Sequence, residues 1–149
     1  MGASARTWIW ISLVVQFLGY LIDLMWHGLL RPGVEPTTVG EMVRHLITVH
    51  LPLYIGALSL VVSTSRALLE QIIRSRPGIV LPIAFGGAVV SVTAEAWHAY
   101  SHLRLDTHSA PMAGALSAIG FLVVVFAMSL SAGTRRRRVA DDTRGQRAA

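Results

Sequence analysis

Four stretches of this chain, roughly Trp8 to Leu30, Leu46 to Leu68, Ile79 to Tyr100 and Met112 to Ala132, are apolar almost throughout. Each meets the length of about 20 residues that a helix needs to cross a bilayer. A hydrophobic content of 53%, a charged content of 14% and a mean hydropathy of +0.56 fit no ordinary soluble domain of 149 residues. The expected fold is therefore all-α: a polytopic membrane protein whose residues 1–134 form a four-helix transmembrane bundle. Its helices are expected over about 8–30, 40–68, 79–102 and 111–132, followed at 135–149 by a basic, disordered tail.

The first apolar run follows Arg6 and has the look of a secretory signal. It exceeds a signal's apolar region of about 7 to 15 residues, carries Asp23 and His27, and ends in Leu-Leu-Arg-Pro without a small-x-small cleavage site. It is expected to stay as the first helix. Arginine is the only strong base, because lysine is absent. Ten arginines (Arg6, Arg66, Arg74, Arg76, Arg135 to Arg138, Arg144 and Arg147) fall on one side of the expected spans, against three (Arg31, Arg44 and Arg104) on the other. The positive-inside rule then puts both termini in the cytoplasm of a cell membrane. The tail Arg-Arg-Arg-Arg-Val-Ala-Asp-Asp reads as a stop-transfer anchor at the lipid surface, and no nucleic-acid partner is inferred from it.

Local signals place breaks between the helices. Pro32, Gly33 and Pro36 end the first helix, and Thr38-x-x-Glu41 is a capping box that restarts one before the second span. Pro52 deprives the carbonyl of Thr48 of its helical donor, so a kink at His50 or a fresh helix start at Pro52 is expected. Pro111 has a similar place before the fourth helix, with Thr107 and Ser109 as possible caps. Trp26-His27 and Trp97-His98 close the first and third helices. His50 and His108 are each followed after five residues by Gly-Ala-Leu-Ser. These matches suggest two parallel two-helix repeats about an axis along the membrane normal. Small residues, namely Ala84, Gly87, Ala88 and Ser91 with Gly114, Ser117 and Ala118, suit close helix contact. Trp8, Trp10, Trp26, Trp97 and Tyr100 read as interface belts.

The chemistry lies in the histidines. All six, His27, His45, His50, His98, His102 and His108, sit at or just inside the same ends of the four spans, the extracytoplasmic ends if the arginine bias holds. With no cysteine, thiolate sites, iron–sulfur clusters and disulfides are excluded, leaving imidazole and carboxylate as the strong ligands. Asp23 and His27 are four apart, Glu95 and His98 three apart, and His98 and His102 four apart, so each set shares a helix face. Glu41 and His45 repeat the four-residue spacing. His45 and His50, five apart, should diverge by about 140° on a straight helix of 3.6 residues per turn. Asp23 and Glu95 lie about a turn inside the boundary, where an ionisable group is usually paired or functional. The expected ligand set is thus His98, His27, His102, Asp23, His50, His108, Glu95 and His45, with His98, shared by two spacings, as its centre.

Asp23-x-x-x-His27 resembles the first part of the copper-ligand pattern on a transmembrane helix of the C subunit of particulate methane and ammonia monooxygenases. That family's second histidine would fall at Gly40 here, and no family is assigned. Three functions are consistent with the sequence. The first is a transition-metal site (copper, iron or zinc) for metal handling or redox chemistry. The second is haem b held between His27 and His98, with Arg31, Arg44 or Arg104 near the propionates. The third is an accessory or assembly subunit of a homo-oligomer or larger membrane complex. The intramembrane acids favour the metal site. No Ser-His-Asp or phosphate-loop arrangement is present, which leaves enzymatic activity open.

Overall fold

A computed structural model describes residues 3–34, 36–75, 78–106 and 109–148, and within those ranges the side chains from 4 to 132. The described residues are helical with no strand. Helix α1 spans Ala3–Met25 and continues into a π-helical turn at Trp26–Leu30. Helix α2 spans Val39–His45 and passes through a second π-helical turn, Leu46–His50, into α3, Leu51–Ile73. Helices α4, Val80–Leu103, and α5, Ala110–Ala148, complete the chain. Four of these stretches are long and apolar enough to cross a membrane: Ser4–Leu30, Val39–Ile73, Val80–Leu103 and Ala110–Ala132. The second, at 35 residues, is about 52 Å long at 1.5 Å per residue, well beyond an about 30 Å hydrocarbon core. Its surplus forms the approach carrying α2 and His45.

The bundle is apolar outside and buries many of its polar groups inside. Leu24, Leu29, Ile72 and Phe126 are exposed, whereas Gln16, His50, Ser91 and Ser117 are fully buried and Glu95 is 2% exposed. That inversion is stable in lipid, where tails satisfy the outer surface and polar groups must find partners within. Trp8, Trp10, Trp97 and Tyr100 all face outward, as belt residues should.

Helix α1 packs mainly on α3, α4 packs on α5, and α3 joins the two pairs to each other. Small residues set both close contacts, since lipid provides no hydrophobic drive for helices to associate. A Cβ added at Gly56 would collide with the backbone of Gln16. One added at Gly87 would lie 2.8 Å from the carbonyl oxygen of Gly120. At the arginine-rich end the core is apolar, built on Ile9, Leu13, Leu60, Leu81, Val124 and Met128.

The sequence signals act as expected at two breaks. Thr38 accepts from the backbone N–H of Glu41, and Glu41 Oε2 accepts from the N–H of Thr38, completing the capping box. A fresh helix begins at Leu51 with Pro52 in its first turn, where a missing N–H costs nothing. Ahead of α5, Asp106 is the acceptor, taking the Ser109 N–H at 3.2 Å and its hydroxyl at 2.6 Å. Thr107 lies outside the described residues. Helix α5 includes the arginine-rich segment and is helical to Ala148.

Candidate metal centre

The site is assembled from stripes at matched spacing on α1 and α4. Gln16, Tyr20, Asp23 and His27 follow one another at intervals of 4, 3 and 4, as do Ser91, Glu95, His98 and His102. Such spacing keeps four side chains on one face over three turns. The stripes face each other: Gln16 Nε2 donates to Ser91 Oγ at 2.7 Å, and at the far end the His27 and His102 rings stack at 6.4 Å, 10° from parallel. Tyr20 and Ser117 join hydroxyls at 2.7 Å, and Ser117 meets Ser91 at 3.1 Å, which ties α5 into the same ladder. The facing register is therefore 75 residues, where the Trp26-His27/Trp97-His98 repeat implies 71. His27 lies opposite His102 rather than His98.

At the head of this ladder five imidazoles converge. His27 Nε2 lies 3.2 Å from His45 Nε2, which lies 3.2 Å from His50 Nε2. His98 Nε2 lies 3.0 Å from His102 Nε2. The ring of His50 is 4.9 Å from that of His45 and 5.2 Å from each of those of His98 and His102. Two triads, His27–His45–His50 and His50–His98–His102, each present ligand nitrogens within 4.8 Å of one another. His50 belongs to both, and its side chain is fully buried.

The convergence of His45 and His50 overturns the divergence expected of a straight α-helix. The intervening residues form a π-helical turn, whose i→i+5 bonding brings residues five apart onto one face. The other π-helical turn contains His27 and closes with Arg31 N–H donating to the Trp26 carbonyl at 2.8 Å, again a span of five. Both widened turns carry ring donors of the cluster.

Backbone and carboxylate groups hold the rings from behind. His98 Nδ1–H donates to the carbonyl of Ala110 at 3.0 Å, which fixes the tautomer and leaves Nε2 facing His102 with a lone pair. Asp23 Oδ1 lies 3.3 Å from His50 Nδ1 and 3.5 Å from His27 Nε2, spanning the two. Tyr54 stacks on His50 with ring centroids 5.9 Å apart. Sequence reasoning missed Tyr54, the Ala110 carbonyl and Gln16. The repeated 4-3-4 spacing was the signal that could have found Gln16.

Five of the expected ligands, His27, His45, His50, His98 and His102, are thus brought together, with Asp23 at their edge. Glu95 is not among the convergent donors. It sits one turn deeper on α4, buried, and neither carboxylate oxygen has a hydrogen-bond partner among the described residues. Glu41 is exposed and committed to its cap, which removes the Glu41–His45 pairing from the site. His108 lies outside the described residues. Arg31 covers the Trp26 ring at 5.9 Å and Arg104 the Tyr100 ring at 5.7 Å.

Two nitrogens bound to one zinc at about 2.0–2.1 Å stand about 3.3 Å apart at a tetrahedral angle. The Nε2 separations of 3.0 to 3.2 Å are close to that value. The donor set, with the His98 Nδ1–H directed at a carbonyl and the Asp23 carboxylate 3.3 Å from His50 Nδ1, fits a borderline transition-metal ion. No protein family, curated protein or solved structure matches the chain.

Proposed function

We propose that this protein is an integral membrane metal-binding protein that holds copper, iron or zinc in its five-histidine cluster, for metal handling or redox chemistry. The observation that carries this reading is the inward convergence of imidazole nitrogens from three separate stretches of chain, with neighbouring Nε2 atoms 3.0 to 3.2 Å apart and two triads whose ligand atoms lie within 4.8 Å of one another. Five neutral rings gathered without such a partner would leave ring nitrogens facing one another, with a single N–H between each pair to share. Imidazole suits all three metals, and the ligand set does not choose among them.

Haem is less well supported. Each ring of the His27–His98 pair already has another imidazole nitrogen against its Nε2, His45 at 3.2 Å from His27 and His102 at 3.0 Å from His98, and a macrocycle ligated by the two would have to displace both neighbours. His27, moreover, contacts the rings of His45, His50 and His102.

Metal analysis of the purified protein, before and after chelator treatment, tests the reading. A stoichiometric transition metal supports it. A metal-free protein after metal-replete expression overturns it in favour of a structural accessory subunit. The arginine distribution supports an extracytoplasmic position for the cluster. A reporter after Ala149 should then read as cytoplasmic and one in the Gly33 to Thr38 loop as external; the reverse pattern refutes that placement.

A further inference from the structure

At the end of the bundle opposite the histidines, a groove of about 650 Å³ opens between the first turns of α1 and the last turns of α3. It begins beyond the close contact of Gly56 with Gln16, and its walls include Trp8, Leu58 and Val62. Arg66 and Arg74 line it nearer the helix ends, with Glu70 between them in sequence. Among the described residues neither guanidinium makes an ion pair or hydrogen bond. Trp8, 59% exposed, stands where an indole marks the headgroup layer. The groove therefore joins a wall of apolar side chains and serines at membrane depth to two uncommitted cations and one carboxylate, a net charge of +1, at the interface.

We propose that this groove is a binding site for an anionic phospholipid, with an acyl chain along Leu58 and Val62 and the phosphate between Arg66 and Arg74. Charge selects this occupant over the others. The chain's own tail carries Arg135 to Arg138 and would be repelled by the same guanidiniums. A parallel second copy would bring a like-charged end against it. A zwitterionic lipid offers the same tail but adds a cation beside the arginines. Guanidinium pairs bind phosphate oxygens through paired N–H donors, and basic pockets between membrane helices select anionic headgroups.

The test is native mass spectrometry of the full-length protein in a neutral detergent, with added phosphatidylglycerol or phosphatidylcholine of identical chains. One phosphatidylglycerol should be retained at least about tenfold more tightly than phosphatidylcholine. The double variant Arg66→Gln/Arg74→Gln should lose that preference, and Glu70→Gln should strengthen it. Leu58→Trp, on an exposed face that can take a larger side chain, should weaken both lipids by filling the groove. Equal retention of the two lipids, or a phosphatidylglycerol adduct that survives the double variant, overturns the proposal. A wild-type dimer that Leu58→Trp dissociates also overturns it, assigning the groove to a second copy. Gel filtration of each variant confirms that it is folded.

Discussion

Replacing His50 by alanine is the most direct challenge to the metal reading. His50 is the member common to both nitrogen triads, so its loss reduces each from three donors to two. Loss of a mere outer partner of a metal ligand costs about 10- to 100-fold in affinity. Removal of a ligating nitrogen should cost at least about 100-fold, or about 2.7 kcal/mol at 1.36 kcal/mol per decade. His27→Ala should be milder, since it leaves His50–His98–His102 intact, and His98→Ala likewise leaves His27–His45–His50. Trp26→Leu, which removes only a ring 5.8 Å from that of His45, should leave metal content unchanged. The assay is metal content per chain by elemental analysis, with competition against a chelator of known affinity to obtain the ratio. An enclosed site vacated at His50 also becomes a cavity, so each variant needs a matched unfolding curve. If His50→Ala keeps the wild-type metal content and affinity while His27→Ala or His98→Ala does not, His50 is no shared ligand and the two-triad geometry fails.

Asp23→Asn keeps the shape but removes the charge 3.3 Å from His50 Nδ1; affinity should fall about 10- to 100-fold in the same competition assay with content retained at saturating metal. Metal affinity should fall as pH is lowered, because protons compete with the metal for the imidazole nitrogens; an affinity that stays constant from about pH 7 to 4.5 in the chelator competition would argue against histidine ligation. Gly56→Ala should lower stability by about 1–3 kcal/mol, since its Cβ meets the Gln16 backbone, whereas Gly40→Ala, with nothing within 4 Å, should have no such effect in thermal unfolding.

The bundle was legible because its governing constraint is one-dimensional. Apolar length alone marks a span, and the four runs reappear as four helices, extended at their ends by Ser4, Val39, Ile73 and Leu103. The capping box and the restart at Pro52 were legible too, since each depends on bonds between residues a few positions apart. Close contact through small residues was anticipated at Gly87 and Ser91. Gly120, whose Cβ would meet both, gave no separate sign of its importance.

Five of the histidines were legible as a group at one end, but their geometry was not. Grouping the histidines at one end needs only the order of the spans, but deciding which rings touch needs the helical phase at each residue. His45 and His50 show the difference: on a regular helix they point about 140° apart, and one π-helical turn cancels that angle. The same sensitivity explains the register. A Trp-His pair repeated at 71 residues is conspicuous to the eye, yet the surfaces that meet are set by hydrogen bonds along the inner stripe, where Gln16 reaches Ser91 and fixes an offset of 75. That four-residue difference is about one helical turn, so it changes which histidine on α4 faces His27 while leaving the helix face unchanged. It also puts Glu95 opposite Tyr20 in the ladder, deeper than the ring donors, which is why an acid expected among the ligands instead lies beneath them. The inner polar stripe, not the outer aromatic pair, therefore marks the offset at which α1 and α4 face each other, and with it the relative depth of His27, Glu95 and His102.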